Sequence, residues 1–233
     1  MTANDRPDYL EKTLHQFGST NDFSYIDYMD FGIEPGSKEV LNVCRGFKYK
    51  KSKITVNPRK LGVCHNPYMT LRRVFKAGSS LNVYLEDDVL FSPDCLELSY
   101  WYDSLPNKND FLCMTFFRKD SLEDLEGIKV EHNPKMFSAL GMVMTDYQWE
   151  NYFAPNWHKD RRGWDWSIKG VIESTGLGIL VPMVSRSYHI GRERATHYVP
   201  AIHDKVHVGV KWNKDRACLK YRLIDEDSSS NSV

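Results

Sequence analysis

The chain has 233 residues, of which 41% are hydrophobic and 27% are charged, and its 31 basic residues balance 31 acidic ones. This composition is ordinary for a globular protein of one domain or two small ones. The net charge of zero argues against a general binder of nucleic acid or other polyanions. The five cysteines form no CxxC pair, so neither a disulfide framework nor a cysteine zinc site is predicted.

The sequence contains no predicted membrane segment. No stretch approaches the ~18 consecutive apolar residues of a spanning helix, and the first residues lack the apolar region of a signal peptide. We therefore expect a cytoplasmic protein with no membrane span. Residues 225–233 are polar and acidic, and we expect a disordered tail there, after a single domain that comprises residues 1–224.

The first half of the chain alternates predicted helices and strands. Pro7 suits the first position of a helix, and Leu10, Leu14 and Phe17 follow at helical spacing. The further elements predicted are, in order, a strand at 23–29, a helix at 38–47, a short strand within 48–60, a helix at 67–77 and a short buried strand at 83–85.

The second half continues this alternation. Ser92, followed by Pro93, suits the N-cap of a helix, and Thr145 with Gln148 matches a capping box that opens another. The remaining predictions are, in order, a strand at 111–117, a charged loop at 118–135, a helix at 166–174, a strand at 179–184 and a mobile loop from 186 onward. Alternating strands and helices predict an α/β domain with a mostly parallel central sheet flanked by helices.

Three consecutive carboxylates, Glu86, Asp87 and Asp88, follow the predicted strand at 83–85. Such a cluster is costly to bury unless a cation neutralises it. Ions such as Mg²⁺ prefer one or two carboxylates together with phosphate oxygens, and the carboxyl end of a strand is where open α/β sheets bind ligands. We therefore predict a divalent ion that holds a diphosphate, with a solvated acidic turn as the alternative.

Short segments along the chain share an order and a spacing with a known family. They are Asn4-Asp5-Arg6-Pro7, Met29-Asp30-Phe31-Gly32, Leu85-Glu86-Asp87-Asp88, Phe91-Ser92-Pro93-Asp94, Phe137-Ser138-Ala139-Leu140-Gly141, Trp164-Asp165-Trp166 and Ser185-Arg186-Ser187-Tyr188-His189-Ile190-Gly191. Together they resemble the inverting glycosyltransferases of the N-acetylglucosaminyltransferase I and protein O-linked-mannose N-acetylglucosaminyltransferase type. The resemblance implies the GT-A fold, Mn²⁺ or Mg²⁺, and transfer of a sugar, expected to be GlcNAc, from a UDP-sugar to a hydroxyl of a glycan or glycoconjugate acceptor.

The resemblance also implies roles for the acidic and tryptophan-flanked residues. Asp88 is expected to bind the metal. Glu86 and Asp87 are expected to contact the ribose or the donor sugar, or to hold the ion through water. Asp165 is expected to be the catalytic base, because the apolar setting of its tryptophan neighbours raises the pKa of a carboxylate. Its alternative role is to cap the predicted helix at 166–174, and the two roles are compatible.

Further donor contacts follow from the same resemblance. Asp30 is expected to contact uracil, with a turn-forming role before Gly32 as the alternative. Arg6 is expected to reach the ribose or the phosphate, with a solvated position as the alternative. His65 and Asn66 fall near a nucleotide-contacting histidine of the family, in a loose alignment.

Residues 191–197 are expected to form a lid, in which Arg192, Arg194 or Thr196 holds phosphate after closure. The alternative is a basic loop with no such role. Among the histidines of this region only His203 and His207 have a spacing that fits one helical face, and a zinc site is not predicted. His189 is an alternative second ligand of the catalytic metal.

Two features depart from the family pattern. The first strand is nearly absent, and Phe116-Phe117-Arg118 stands where the family has a Trp-Asn-Asp run that helps to build the sugar and acceptor sites. The alternatives are therefore the same fold with UDP-glucose, UDP-galactose or UDP-xylose as donor, or a catalytically silent domain that binds a nucleotide-sugar or carbohydrate.

Overall fold

The computed structural model describes residues 1–157, 163–193, 200–215 and 220–224. The predicted tail at 225–233, and Thr196 with the second half of the predicted lid, lie outside these ranges. The strands are β1 (Thr2–Ala3), β2 (Met29–Ile33), β3 (Ser52–Val56), β4 (Leu81–Tyr84), β5 (Val89–Phe91), β6 (Met114–Thr115), β7 (Gly127–Glu131), β8 (Met142–Thr145), β9 (Ile179–Pro182), β10 (Ser187–His189) and β11 (Arg222–Ile224). The α-helices are α1 (Pro7–Thr20), α2 (Lys38–Gly46), α3 (Gly62–Lys76), α4 (Cys95–Ser104), α5 (Asp146–Gln148), α6 (Trp164–Thr175) and α7 (Pro200–His207).

The first three strands form a parallel sheet in the order β1-β2-β3. On its other side β1 lies beside the acidic triplet, because Thr2 pairs in parallel with Glu86 and donates its N–H to the Leu85 carbonyl at 3.1 Å. Asn4, one residue past β1, donates its N–H to Asp87 Oδ2 at 2.8 Å. The triplet therefore lies at the carboxyl end of β1, the edge at which open α/β sheets bind ligands.

A six-stranded sheet has the order β11-β7-β9-β6-β8-β4. Within it, β6 runs parallel to β9 and β7 runs parallel to β11, whereas β8 is antiparallel to both β4 and β6. β5 and β10 pair in an antiparallel two-stranded sheet. The predicted α/β architecture, with parallel strands and flanking helices, is confirmed. Antiparallel strand pairs occur only among the strands from β4 to β10, within the described residues.

Among the described residues, buried hydrophobic side chains form two clusters that hold these layers together. The first contains Leu10 and Phe17 of α1 with Phe31 of β2, all three fully buried. The second contains Ile168 of α6 and Ile179 of β9, also fully buried. Complete burial of side chains of this size stabilises the fold by about 1.5–3 kcal/mol each relative to exposure.

Local signals placed several helix boundaries correctly. α1 begins at Pro7. At the start of α5 the Thr145 hydroxyl accepts the Gln148 N–H at 3.2 Å and the Gln148 side chain accepts the Thr145 N–H at 2.9 Å, which is the predicted capping box. α6 ends at Gly176, whose φ of 70° is a left-handed conformation that glycine adopts without strain.

Two local predictions were wrong. The segment predicted as a strand at 23–29 begins with a 3₁₀ turn at Phe23–Tyr25, since the Asp22 carboxylate accepts the Ser24 N–H at 2.9 Å. β2 therefore starts only at Met29. Asp94, not Ser92, takes the N-cap position of α4, and the Ser92 hydroxyl donates to the Asp94 carboxylate instead.

Elements were also missed where the sequence lacks clear periodicity. The charged segment predicted as a loop at 118–135 contains β7, and the segment from 186 onward contains β10 and α7. Within the segment predicted as a strand at 111–117, only Met114–Thr115 form a strand. In the described part of the chain no helix is long and apolar enough to cross a membrane, and the cysteines described there, at positions 44, 64, 95 and 113, are free thiols.

Candidate active site

The acidic triplet forms the connection between β4 and β5. Asp87 and Asp88 are buried, with 2% and 3% of their surface exposed, and Glu86 is half-buried. The Tyr84 hydroxyl donates to Glu86 Oε1 at 3.1 Å. Because most of this charge is removed from water, the triplet is a buried anionic site and not a solvated turn.

Arg6 supplies the nearest positive charge. Its guanidinium, at the start of α1, pairs with the carboxylates of both Asp87 and Asp88. A planar guanidinium can bridge two carboxylates with parallel hydrogen bonds, which is the geometry that arginine favours. Through these ion pairs Arg6 connects the start of α1 to the triplet at the carboxyl edge of the sheet.

One arginine does not neutralise three carboxylates, and the raised pKa values of two of them reflect this excess of negative charge. Burial, reinforced by the charges of Asp88 and Asp87, raises the pKa of Glu86 to about 8. Burial also raises the pKa of Asp87 to about 6, against the opposing effect of Arg6. Burial opposes ionisation of Asp88 as well, but hydrogen bonds from His189 and Arg6 outweigh it and lower the pKa of Asp88. The site therefore attracts a further cation.

β10 brings His189 to Asp88. β10 runs antiparallel to β5 with His189 opposite Val89, and His189 Nε2 lies 3.1 Å from Asp88 Oδ2. Gly191 follows directly, and a Cβ atom there would overlap Asp88 Oδ2 and come within 2.8 Å of His189 Nε2. Glycine is therefore required for the backbone to approach this carboxylate–imidazole pair. A carboxylate beside an imidazole offers an oxygen and a nitrogen, which are ligand types that divalent ions accept.

α7 adds two more histidines, which the sequence reasoning did not join to the site. His203 and His207 are buried and, with His189, form a group whose candidate ligand atoms all lie within 4.8 Å of one another. Their spacing on α7 was the available signal, but the pairing of β10 with β5 that brings His189 to them was not visible in the sequence. Phe117, from the segment that departs from the family pattern, packs edge-on against His207 with ring centroids 5.4 Å apart.

Asp165 lies in the first turn of α6. Gly163 takes the N-cap position, so the alternative that Asp165 is the cap was wrong. Lys169, one turn later, lies 3.8 Å from Asp165 Oδ2. The neighbouring Trp164 ring packs edge-on against Tyr84, with centroids 5.8 Å apart. Because Tyr84 also binds Glu86, the start of α6 is connected to the triplet through two aromatic side chains.

Asp30 lies away from the triplet. It is buried within β2, and Arg73 of α3 pairs with its carboxylate at 2.5 Å. It precedes Ile33, the last residue of β2, by three positions, which is about 10 Å along a strand. A contact between Asp30 and uracil remains a prediction, and the position of Asp30 does not favour it.

Glu34 and Asn66 lie nearer to the carboxyl end of β2. Glu34 is buried and accepts the N–H groups of Leu61 and Gly62 at 2.9 and 2.7 Å. Asn66 donates to the Gly32 carbonyl at 3.1 Å. Sequence reasoning did not single out Glu34, although it is the carboxylate that directly follows β2.

Arg192 is not in contact with the triplet. Its guanidinium is exposed and pairs with Asp204 of α7, at 2.7 Å, and with Glu193. Thr196 lies outside the described residues. The phosphate-holding roles of these two residues therefore remain predictions.

Comparison with solved structures shows the fold. The mannosyltransferase PcManGT from Pyrobaculum calidifontis, solved in complex with GDP-Man and Mn²⁺, is similar with a TM-score of 0.55 and 13% identity, over 79% of this chain and 56% of that chain. GalNAc-T7, solved with UDP, GalNAc and Mn²⁺, is similar with a TM-score of 0.53 and 13% identity, over 82% of this chain and 42% of that chain. The chain thus spans about half the length of these structures. The chain has the GT-A fold, as the sequence predicted.

Comparisons with protein-family models and with curated proteins gave no match.

Proposed function

We propose that the protein is a metal-dependent inverting glycosyltransferase that moves a sugar from a UDP-sugar to a hydroxyl of a glycan or glycoconjugate acceptor. The observation that supports this most directly is the buried Asp88 carboxylate at the carboxyl edge of the sheet, with His189 and Arg6 against it, in a GT-A fold. The two similar glycosyltransferases were solved with Mn²⁺ and a nucleotide or nucleotide-sugar. That similarity, together with the chain's own acidic triplet, supports the proposed transferase activity and the proposed use of a nucleotide-sugar and a metal ion.

Asp88 is the proposed ligand of Mn²⁺ or Mg²⁺. When bound, the ion would act as a Lewis acid for the diphosphate of the donor. Arg6, which pairs with Asp87 at the triplet, is the proposed contact to the ribose or the phosphate of the donor. Glu86 and Asp87 are the proposed contacts to the ribose or the donor sugar, while Arg192 and Thr196 stay proposed phosphate contacts of a closed lid.

Asp165 is the proposed catalytic base. Inverting transfer is a single displacement in which the acceptor hydroxyl attacks the face opposite the leaving group, so one base is sufficient and no covalent intermediate forms. Asp165 would take the proton of that hydroxyl as the new glycosidic bond forms. The packing of Trp164 on Tyr84 supports a position near the donor site, and a positioned base contributes about 10²–10⁴-fold to the rate.

GlcNAc is the expected sugar, and UDP-glucose, UDP-galactose and UDP-xylose are the alternatives. Phe117 and Arg118 are buried, and they stand where the resembling family has polar residues that help to form the sugar site. The catalytically silent alternative has less support, because a binding domain needs neither a base at Asp165 nor a metal ligand at Asp88.

A donor panel tests this proposal. Release of the nucleoside diphosphate would be measured with Mn²⁺ and each donor in a separate reaction. The donors are the four UDP-sugars, which release UDP, and GDP-mannose, which releases GDP and is included because one similar enzyme was solved with it. UDP-GlcNAc is expected to turn over fastest. Turnover of only another UDP-sugar would show that this sugar, and not GlcNAc, is the one transferred. Nucleotide binding without turnover of any donor would favour the catalytically silent domain.

A further inference from the structure

The three histidines at positions 189, 203 and 207 form a triangle of nearly equal sides. Their ring centroids are 4.9, 4.7 and 4.8 Å apart in pairs. Imidazoles bound to one ion with metal–nitrogen distances of about 2.0–2.1 Å have ring centroids about 4.5–5.3 Å apart. The spacing of the rings therefore suits a shared metal ion, which would draw the candidate ligand atoms, now within 4.8 Å of one another, closer together.

We infer that His189, His203 and His207 form a second metal site, which takes a transition ion such as Zn²⁺ and is separate from the ion proposed at Asp88. Imidazole nitrogen suits zinc, copper, nickel and iron, whereas Mg²⁺ and Ca²⁺ prefer oxygen ligands. The inference rests on the histidines themselves and stands whether or not the protein transfers a sugar.

Burial of the ring nitrogens supports this site. The exposed fractions of His189, His203 and His207 are 7%, 3% and 4%. Within the described ranges, His189 Nδ1 and His203 Nε2 are buried without a hydrogen-bond partner. Buried polar atoms in native proteins nearly always have a partner, so ring nitrogens without one in a group of three neighbouring histidines indicate a ligand.

Asp88 gives His189 the orientation that a ligand needs. When His189 Nε2 donates to Asp88 Oδ2, at 3.1 Å, the Nδ1 lone pair faces away from the triplet. A histidine ligand whose second nitrogen donates to a carboxylate is the usual arrangement in metal sites, and the carboxylate fixes the tautomer. Asp88 would thus connect the two ions, as a ligand of one and an orienting partner of the other.

Cobalt is a suitable probe because Co²⁺ bound by histidine in a tetrahedral site absorbs visible light. The metal-free protein would be titrated with Co²⁺ in the absence of nucleotide, and Zn²⁺ and then Mg²⁺ would be added as competitors. We expect one Co²⁺ per chain, displaced by Zn²⁺ and not by Mg²⁺. His203→Ala and His207→Ala should lose this binding, whereas His15→Ala, at an exposed position on α1, should retain it. Asp88→Ala should weaken it by about 10–100-fold, the usual cost of losing an orienting partner.

Absence of the cobalt absorption in the wild-type protein would overturn the inference without any variant. Wild-type affinity in His203→Ala would also overturn it, as would loss of Co²⁺ from Asp88→Ala with retention in His203→Ala, which would place the ion at Asp88. Far-ultraviolet circular dichroism of each variant checks folding, and His203→Asn is a second variant of more similar polarity. Because no nucleotide is present, failure here is distinct from failure of donor binding.

Discussion

Asp88 and His189 are 101 positions apart in the chain, yet Asp88 Oδ2 and His189 Nε2 lie 3.1 Å from each other. The antiparallel pairing of β5 with β10 produces this contact, and the Ile190 N–H donates to the Asp88 carbonyl at 2.8 Å. The contact joins the acidic turn after β4 to the chain that leads into α7. It is also the point at which the proposed donor site and the proposed histidine site meet.

Gly191→Ala should disrupt this contact. The added methyl group would overlap Asp88 Oδ2, and the backbone of Gly191 has little room to retreat beside His189. We expect Mn²⁺-dependent binding of the donor to fall by at least 10-fold, which corresponds to about 1.4 kcal/mol. Isothermal titration calorimetry with a UDP-sugar and Mn²⁺ measures the change.

Gly170→Ala is the matched control for that variant. A Cβ at Gly170 in α6 meets no neighbouring atom, and alanine is favoured over glycine within a helix. Donor binding should therefore be unchanged and the helix slightly stabilised. Equal donor affinity in both alanine variants would contradict a close approach of Gly191 to the site.

Asp165→Asn should separate binding from transfer. Asparagine keeps the size of the side chain but cannot accept the proton of an acceptor hydroxyl, so the rate of transfer should fall about 10²–10⁴-fold. The affinity for the donor should stay within about 3-fold of wild type, a change of well under 1 kcal/mol. Single-turnover transfer and calorimetry together check the two parts.

Glu173→Gln, in the last turn of the same helix, is the control for the loss of a carboxylate. It should leave both donor affinity and transfer unaltered. Full transfer activity in Asp165→Asn would remove Asp165 from the mechanism, and equal loss of activity in both variants would point to an effect on α6 as a whole.

Asp94 and Arg186 form a buried ion pair that we expect to stabilise the fold. Arg186 is completely buried, and its Nε donates to Asp94 Oδ2 at 2.9 Å. Asn213 and Tyr221 also donate to this carboxylate, at 3.2 and 3.0 Å. Asp94→Asn would leave the Arg186 charge buried without compensation, which should lower the free energy of unfolding by about 3–5 kcal/mol.

Urea unfolding followed by circular dichroism measures that loss. The control is Asp103→Asn, which removes the partner of Lys108 in a surface pair whose side chains are 38% and 28% exposed. Exposed pairs contribute about 0–1 kcal/mol. Similar midpoints for the two variants would show that Asp94 and Arg186 are not buried as described.

The buried thiols should be unreactive in the folded protein. Burial is the main cause that raises the pKa of Cys44, to about 12, and it also raises the pKa of Cys95 and Cys113. Since the thiolate is the nucleophile, few of these side chains are reactive at pH 8. Iodoacetamide should modify them much faster in urea than in buffer, as measured by peptide mass spectrometry. Rapid labelling of Cys113 in buffer would place β6 and its neighbours outside a packed core.

The sequence predicted what depends on local chemistry. Pro7, the capping box of Thr145 and Gln148, and the glycine after α6 each specify a boundary through hydrogen bonds or backbone angles within a few residues. The alternation of strands and helices was sufficient for the fold class. The acidic triplet was recognisable because three consecutive carboxylates after an apolar strand need a cation.

What the sequence could not predict depends on contacts between distant segments. His189 meets His203 and His207 because β10 pairs with β5 and α7 places its two histidines against His189. No local sequence pattern predicts that pairing. The position of Asp30 depends on where β2 begins, and the Asp22 turn moved that start to Met29. Short strands such as β7 were missed because tertiary packing, and not periodicity, determines them.

Calorimetric titration with UDP-GlcNAc, with and without Mn²⁺, in the wild-type protein and in Asp88→Ala, tests the central claim most directly. We predict that wild-type protein binds the donor in a metal-dependent manner and that Asp88→Ala abolishes this dependence. If UDP binds as tightly as UDP-GlcNAc, the proposed nucleotide site would stand, but GlcNAc would not be the donor sugar. The absence of metal-dependent binding of any UDP compound to the wild-type protein, or its full retention in Asp88→Ala, would contradict the proposed donor site.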